Sequence, residues 1–189
     1  MTISNFDLAG LTKEAIRCRM LRRLKSQKEV ERVRKSRIIE NAVIATEAFR
    51  KAKVIVCYIA FGGEVETGLI MRYAYKLGKR LGVPRCLAGR KMEVCLWYPG
   101  TPLTKGIYGT WEPVKKKCIR IQDIDLVLVP GLAFDLLGNR LGRGKGFYDQ
   151  FLSRVPFSAK TIGLAYDFQL VPRLCVTPND FRLDRVIFA

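Results

Sequence analysis

Histidine is absent from all 189 residues. Without an imidazole there is no Ser-His or Cys-His nucleophile pair and no His-ligated metal site. Acid–base work then falls to carboxylates, lysine or substrate, and a metal must be a hard cation held by oxygen. Six cysteines, Cys18, Cys57, Cys86, Cys95, Cys118 and Cys175, form no CxxC pair and lie mostly in apolar surroundings. That scatter predicts buried thiols in a reducing compartment, not a disulfide framework. No apolar run approaches the roughly 18 residues of a membrane span. The opening stretch MTISNFDLAG has neither the basic start nor the apolar segment of a signal peptide. A soluble, cytoplasmic protein without membrane contact is the expectation. Acidic residues are scarce too: 17 Asp and Glu against 34 Lys and Arg leave a net charge of +17, which favours anionic partners such as nucleotides, carboxylate-bearing substrates or nucleic acid. Much of the excess sits in residues 17–37, where a run of charge on helices reads as solvated faces.

Hydrophobic residues at 49% exclude a disordered chain, and the length suits one domain able to bury roughly 70% of its unfolded surface. Leu11 to Lys25 carries a helical stripe with Thr12 as N-cap. A second helix follows, its stripe running Val30, Val33, Ile38, Ile39, Ala42, Val43 and Phe49. Lys53 to Ala60, KVIVCYIA, is a continuous apolar run of the kind buried on both faces of a parallel sheet, with Phe61 to Thr67 as the loop at its carboxyl end. There Thr67 is placed to cap the next helix, read over Gly68 to Leu81. Strands are predicted at Val83 to Leu87, Met92 to Tyr98, Asp125 to Pro130, Thr161 to Tyr166 and Val186 to Phe188, and Lys115, Lys116 and Lys117 are expected to face solvent. Alternating strands and helices give a single three-layer α/β/α domain over residues 1–189, with a largely parallel sheet and two N-terminal helices.

The chain is organised around Val127 to Leu152, VLVPGLAFDLLGNRLGRGKGFYDQFL. An apolar run ends at Pro130. A loop then carries Arg140, Arg143 and Lys145 among Gly138, Gly142, Gly144 and Gly146, and an amphipathic segment follows. Strand, glycine loop and helix in that order build an anion cradle, because glycines let backbone N–H groups converge and a helix start adds unpaired donors. Three cations make phosphate the natural guest. The spacing fits neither a Walker loop nor a dinucleotide fingerprint. Asp149, about one helical turn beyond the cations, is placed to hold a divalent metal beside phosphates.

PGLAFDLLGNRLGRGKGFYDQFL resembles the signature of the 5-formyltetrahydrofolate cyclo-ligase, or methenyltetrahydrofolate synthetase, family. The resemblance implies the same α/β/α fold and an enzyme that closes 5-formyltetrahydrofolate to 5,10-methenyltetrahydrofolate. It also implies use of ATP and magnesium, a phosphorylated formyl intermediate, and release of ADP and phosphate. Lys13 and Arg17 fit the family's Lys-x-x-x-Arg, which reaches the ATP phosphates. With them the resemblance places Arg140, Gly142, Arg143, Gly144, Lys145, Gly146, Phe147 and Tyr148 around the nucleotide, with Lys145 and Arg143 as catalytic cations. Ile59 and Glu64 match the positions that contact folate, joined on the substrate side by Arg143, Gly144, Lys145, Gly146 and Phe147. Glutamate suits a pterin because it accepts two hydrogen bonds from an aminopyrimidine edge. Tyr108 and Trp111 fall in the family's aromatic segment, where they could stack on flat rings. Asp149 and Asp180 would hold magnesium. The family's His-Asp pair reads Asn179-Asp180 here, and Asp184 competes with Asp180. The partners implied are a reduced formyl-folate and ATP on a monomer. Two other readings of the sequence remain: a nucleic-acid-binding protein on the same fold, motivated by the charge, and a related ATP-dependent ligase with another substrate.

Overall fold

A computed structural model describes residues 11–114 and 117–189. The opening decapeptide, Lys115 and Lys116 lie outside the described residues; Lys117 is exposed as expected. Helices α1 (Lys13–Ser26), α2 (Glu29–Ile44) and α3 (Glu47–Lys51) lead into β1 (Val54–Val56), α4 (Gly68–Lys76), β2 (Arg80–Cys86) and β3 (Met92–Trp97). Next come the short strands β4 (Leu103–Lys105) and β5 (Trp111–Pro113), then β6 (Leu126–Val129), β7 (Ala133–Phe134) and β8 (Arg140–Leu141). The chain ends with α5 (Phe147–Leu152), β9 (Lys160–Ala165) and β10 (Arg185–Phe188). Among the described residues no helix is long and apolar enough to cross a membrane.

Six strands form one sheet in the order β10-β9-β6-β1-β2-β3, parallel except for β3, which pairs antiparallel with β2. Alternate strand residues face opposite layers. Ile55, Leu126, Leu128 and Ile162 join a core with Ile16, Met20, Leu24, Ile39, Val43, Phe49 and Ile70 from α1 to α4. Val54, Val56, Val127 and Val129 pack on the other side with Phe147, Phe151 and Leu152 of α5. The three layers are therefore lopsided, four helices against one short one. From β1 the chain builds outward through β2 and β3; it then returns to β6 on the other flank of β1 and continues through β9 to β10. The direction of winding thus reverses between β1 and β6. In open α/β sheets a crevice opens at the carboxyl ends of the strands at such a reversal.

Several sequence expectations need correction. The predicted second helix ends at Ile44, and Phe49 belongs to α3, whose Thr46 hydroxyl accepts from the Phe49 amide at 3.1 Å. Val30, at 79% exposure, and Val33 and Ile38 face outward. The face that turns inward includes Ser36 and Glu40, because both find partners there. Ser36 Oγ lies 2.9 Å from the Tyr166 hydroxyl and accepts from the Glu66 amide, while Glu40 accepts from the Leu69 amide at 2.6 Å. Glu40 therefore caps α4. Thr67 does not: its hydroxyl donates to the Tyr58 carbonyl at 2.6 Å. α4 stops at Lys76, and residues read as its last turn begin β2. Only Cys57 and Cys95 are buried, whereas Cys18, Cys118 and Cys175 are exposed.

Between β6 and α5 the chain inserts the β7–β8 hairpin, and its turn is built around Asp135. This fully buried carboxylate accepts from the amides of Leu137, Asn139 and Leu174 and from the Asn139 side chain, all at 2.9–3.0 Å. A carboxamide in its place would turn two hydrogens toward donors. We expect Asp135→Asn to lose about 3 kcal/mol of stability in urea denaturation, the scale of a charge-assisted hydrogen bond removed from a buried site.

Candidate active site

The reversal between β1 and β6 opens into a cleft of about 410 Å³. Phe61 and Glu64 enter it from the loop after β1, Pro130 and Gly131 from the end of β6, Lys13 and Arg17 from α1, and Asp180 from the C-terminal segment. Residues 140–149 form its floor. The structure thus brings together the sequence-predicted site residues except Ile59, Trp111 and Asp184. Ile59 is half-buried against the larger core cluster and does not line the cleft. Trp111 is exposed, with the Lys105 ammonium 5.7 Å from its ring centroid. Tyr108 does reach the cleft, edge-on to Phe147 with centroids 4.9 Å apart.

Cation–carboxylate pairs dominate the geometry. Lys13 Nζ lies 2.8 Å from Asp180 Oδ2, Arg140 Nη2 2.8 Å from Asp149 Oδ1, and Arg143 Nη2 3.1 Å from Glu64 Oε1. Arg17 Nε donates to the Gly142 carbonyl at 3.1 Å while its Nη1 meets the exposed Glu14. Lys145 is exposed at the cleft and, among the described residues, has no carboxylate within ion-pair distance. It is the cation first available to an incoming anion.

Burial sets these groups apart. The Arg140 side chain is 4% exposed, its guanidinium carbon is 5.4 Å from the Tyr148 ring centroid, and its Nε is buried without a hydrogen-bond partner among the described residues. A Cβ on Gly142 would come within 2.6 Å of Arg140 Nη1, so a side chain here would push that guanidinium aside. Gly144 bends through a φ of +93°, which a side chain would strain. The loop is thus a backbone surface laid over a buried guanidinium. Burial pushes the Glu64 carboxyl upward, and the Arg143 guanidinium opposes it. Burial also works to raise Asp180, but hydrogen bonds from Lys13 and the Thr177 amide outweigh it and hold that carboxyl low. Tyr148 is raised well above a usual phenol by burial and the nearby Glu64, so it stays neutral.

Among the described residues no three His, Cys, Asp or Glu side chains cluster around a common metal point. Asp149 and Asp180 nevertheless line one cleft, and the Phe181 amide points at Asp149 Oδ1 at 3.4 Å. Two carboxylates completed by phosphate oxygens and water fit the donor set of magnesium. Asp184 is not part of this set. It accepts from the amide and hydroxyl of Thr161 at 2.8 and 2.7 Å and lines a different hollow with Lys160 and Arg185.

The sequence reading missed Cys86 and Met92, which line the apolar flank of the cleft. They are cross-strand neighbours on β2 and β3, a pairing with no local signal because it depends on the turn between the strands.

Comparisons with known proteins agree on one family. A family model described as the 5-formyltetrahydrofolate cyclo-ligase family matches residues 9–189. The 5-formyltetrahydrofolate cyclo-ligase of Mus musculus is 30% identical over 188 residues, 93% of each chain. That of Haemophilus influenzae is 33% identical over 130 residues, covering 66% of this chain and 70% of the relative. The NMR structure of Aquifex aeolicus 5,10-methenyltetrahydrofolate synthetase superposes with a TM-score of 0.80 at 31% identity, covering 94% of this chain and 90% of the other.

The Glu64–Arg143 pair makes a prediction about stability. Arg143→Ala leaves Glu64 buried without its counter-charge, so its carboxyl rises further. A carboxyl whose folded pKa exceeds its unfolded value supports the fold while protonated, and that support is lost as pH rises. The variant should therefore lose urea stability relative to the wild type from about pH 4.5 upward. Adding Glu64→Gln should restore most of the difference; equal pH slopes for Arg143→Ala and wild type would contradict the assignment.

Proposed function

The chain belongs to the 5-formyltetrahydrofolate cyclo-ligase family, and on that premise we propose that it closes 5-formyltetrahydrofolate to 5,10-methenyltetrahydrofolate at the expense of ATP. The observation that supports this most directly is the meeting of Lys13, Arg17, Arg143 and Lys145 with Asp149 and Asp180 in one cleft at the winding reversal. A cytoplasmic monomer goes with this reading.

The chemical obstacle is the formyl oxygen, a poor leaving group. Its attack on the γ-phosphorus forms an O–P bond and releases ADP. N10 then adds to the formyl carbon and gives up its proton, and the C–O bond breaks to release phosphate. Oxygen has become a phosphate leaving group, and the new C–N bond closes the ring. Such chemistry needs positioning and charge neutralisation, not a covalent protein nucleophile, so a site without histidine suffices.

Lys145, exposed and without a carboxylate partner among the described residues, captures the phosphates. Lys13 and Arg17 close on them from α1, and the backbone of Gly142 to Gly146 covers the remaining side. Arg143, between this loop and Glu64, sits where the transferring phosphoryl would meet the formyl group. Asp149 and Asp180 would hold magnesium, which supplies charge neutralisation at the phosphate oxygens. Arg140 is too deeply buried to be a free phosphate ligand: its side chain orients Asp149 and supports the loop from below. Glu64 would accept from the pterin, while Tyr108, Phe147 and Met92 offer flat or apolar walls.

Purified protein given 5-formyltetrahydrofolate and Mg-ATP should generate the absorbance of the methenyl product, and none without ATP. Absence of product under both conditions rejects the reading. Asp149→Asn, which keeps an oxygen for Arg140, should abolish turnover with unchanged circular dichroism. Lys145→Ala should lower kcat/KM for ATP by roughly 10²-fold, the scale of one lost charge-stabilising group.

A further inference from the structure

We propose that Glu64 and Arg143 make the two ligands of this cleft bind synergistically, because either ligand alone strands one member of their ion pair and both together strand neither. The inference rests on the functional reading above, with folate and nucleotide as the two ligands.

Arg143 leaves its own glycine loop and crosses to the loop after β1. Its Nη2 reaches Glu64 Oε1 at 3.1 Å, and its guanidinium carbon lies 4.2 Å from the Phe61 ring centroid. It passes so near Gly62 that a Cβ there would meet Nη2 at 3.2 Å. The cation proposed for phosphate is thus docked on the loop proposed for pterin. Among the described residues the Glu64 carboxylate, 6% exposed, has one other hydrogen bond, a long one from the Phe61 amide to Oε2 at 3.4 Å.

Two consequences follow from removing one partner. A nucleotide that draws Arg143 toward its phosphates leaves Glu64 charged and alone in a low-dielectric wall, and an uncompensated buried charge is strongly unfavourable. A pterin that brings its amino group and ring N–H to Glu64 displaces the guanidinium, which then has no anion. With both ligands present the pterin edge satisfies Glu64 and a phosphate satisfies Arg143. Each ligand removes the penalty imposed by the other, and linkage requires the effect to be reciprocal.

The other two ion pairs cannot do this. Lys13–Asp180 and Arg140–Asp149 each join a cation to a carboxylate on the phosphate and metal side, so exchanging their partners involves one ligand only. Glu64 and Phe61, in contrast, also line a second hollow of about 490 Å³ on the far side of the β1 loop. Glu64 thus borders two spaces, while Arg143 lines only the first.

Isothermal titration of the wild type with 5-formyltetrahydrofolate, with and without the magnesium complex of a β,γ-imido ATP analogue, tests the coupling in both directions. The Kd of each ligand should fall about tenfold when the other is present, inside the roughly 5- to 150-fold range of coupled sites. Glu64→Gln keeps the shape of the side chain and removes the charge that holds Arg143. In that variant the analogue alone should bind about tenfold tighter than to the wild type, and folate should change its Kd by less than about twofold. Two bound ligands whose affinities are independent in the wild type overturn the synergy and leave the functional reading standing. Unchanged analogue affinity in a folded Glu64→Gln protein overturns it as well. If neither ligand binds the wild type, the functional reading falls and the synergy with it. The wild-type titrations decide the matter even if the variant does not fold.

Discussion

The carboxylate of Asp135 fixes the geometry on which the cleft depends. Buried out of water, it gathers three amides and one side-chain donor and so dictates the turn of the β7–β8 hairpin. The bond from Leu174 ties that turn to the segment leading toward Asp180. Arg140 leaves the hairpin directly into the interior, where its guanidinium supports Gly142 from beneath and steadies Asp149 beside it. A glycine-rich loop is entropically expensive to order. Here a buried salt bridge below and a buried turn behind hold it in one shape.

The sheet was legible in the sequence because its central strands are buried on both faces and therefore appear as unbroken apolar runs, as in residues 54–56 and 126–129. The small hairpins β4–β5 and β7–β8 were not, since strands of two or three residues carry no period. α2 misled for a physical reason. Its apolar positions Val30, Val33 and Ile38 face water, while Ser36 and Glu40 go inside because Tyr166, Glu66 and Leu69 supply their hydrogen bonds. Burial of a polar group depends on where its partner lies, and these partners come from distant parts of the chain.

The cleft shows the same division. Its cations could be named from one motif and one helix, but their partners could not. Glu64 and Arg143 are 79 positions apart and Lys13 and Asp180 are 167 apart, so only the folded sheet brings them together. The fold pairs the cleft's other cations with carboxylates, Lys13 with Asp180, Arg17 with Glu14, Arg140 with Asp149 and Arg143 with Glu64. Lys145 is left available. Ile59, named from resemblance, serves the core in this structure, and the apolar flank is supplied instead by Cys86 and Met92 of the antiparallel edge hairpin.

The bridge from Lys13 to Asp180 has a bearing on biosynthesis. Ribosomes deliver the chain in sequence order, so the helix carrying Lys13 emerges well before Asp180, which lies 167 positions later. That wall of the cleft is therefore unfinished until Asp180 has emerged. A product truncated before Asp180 would keep most of the sheet, β1 to β3, β6 and β9, and still lack that bridge.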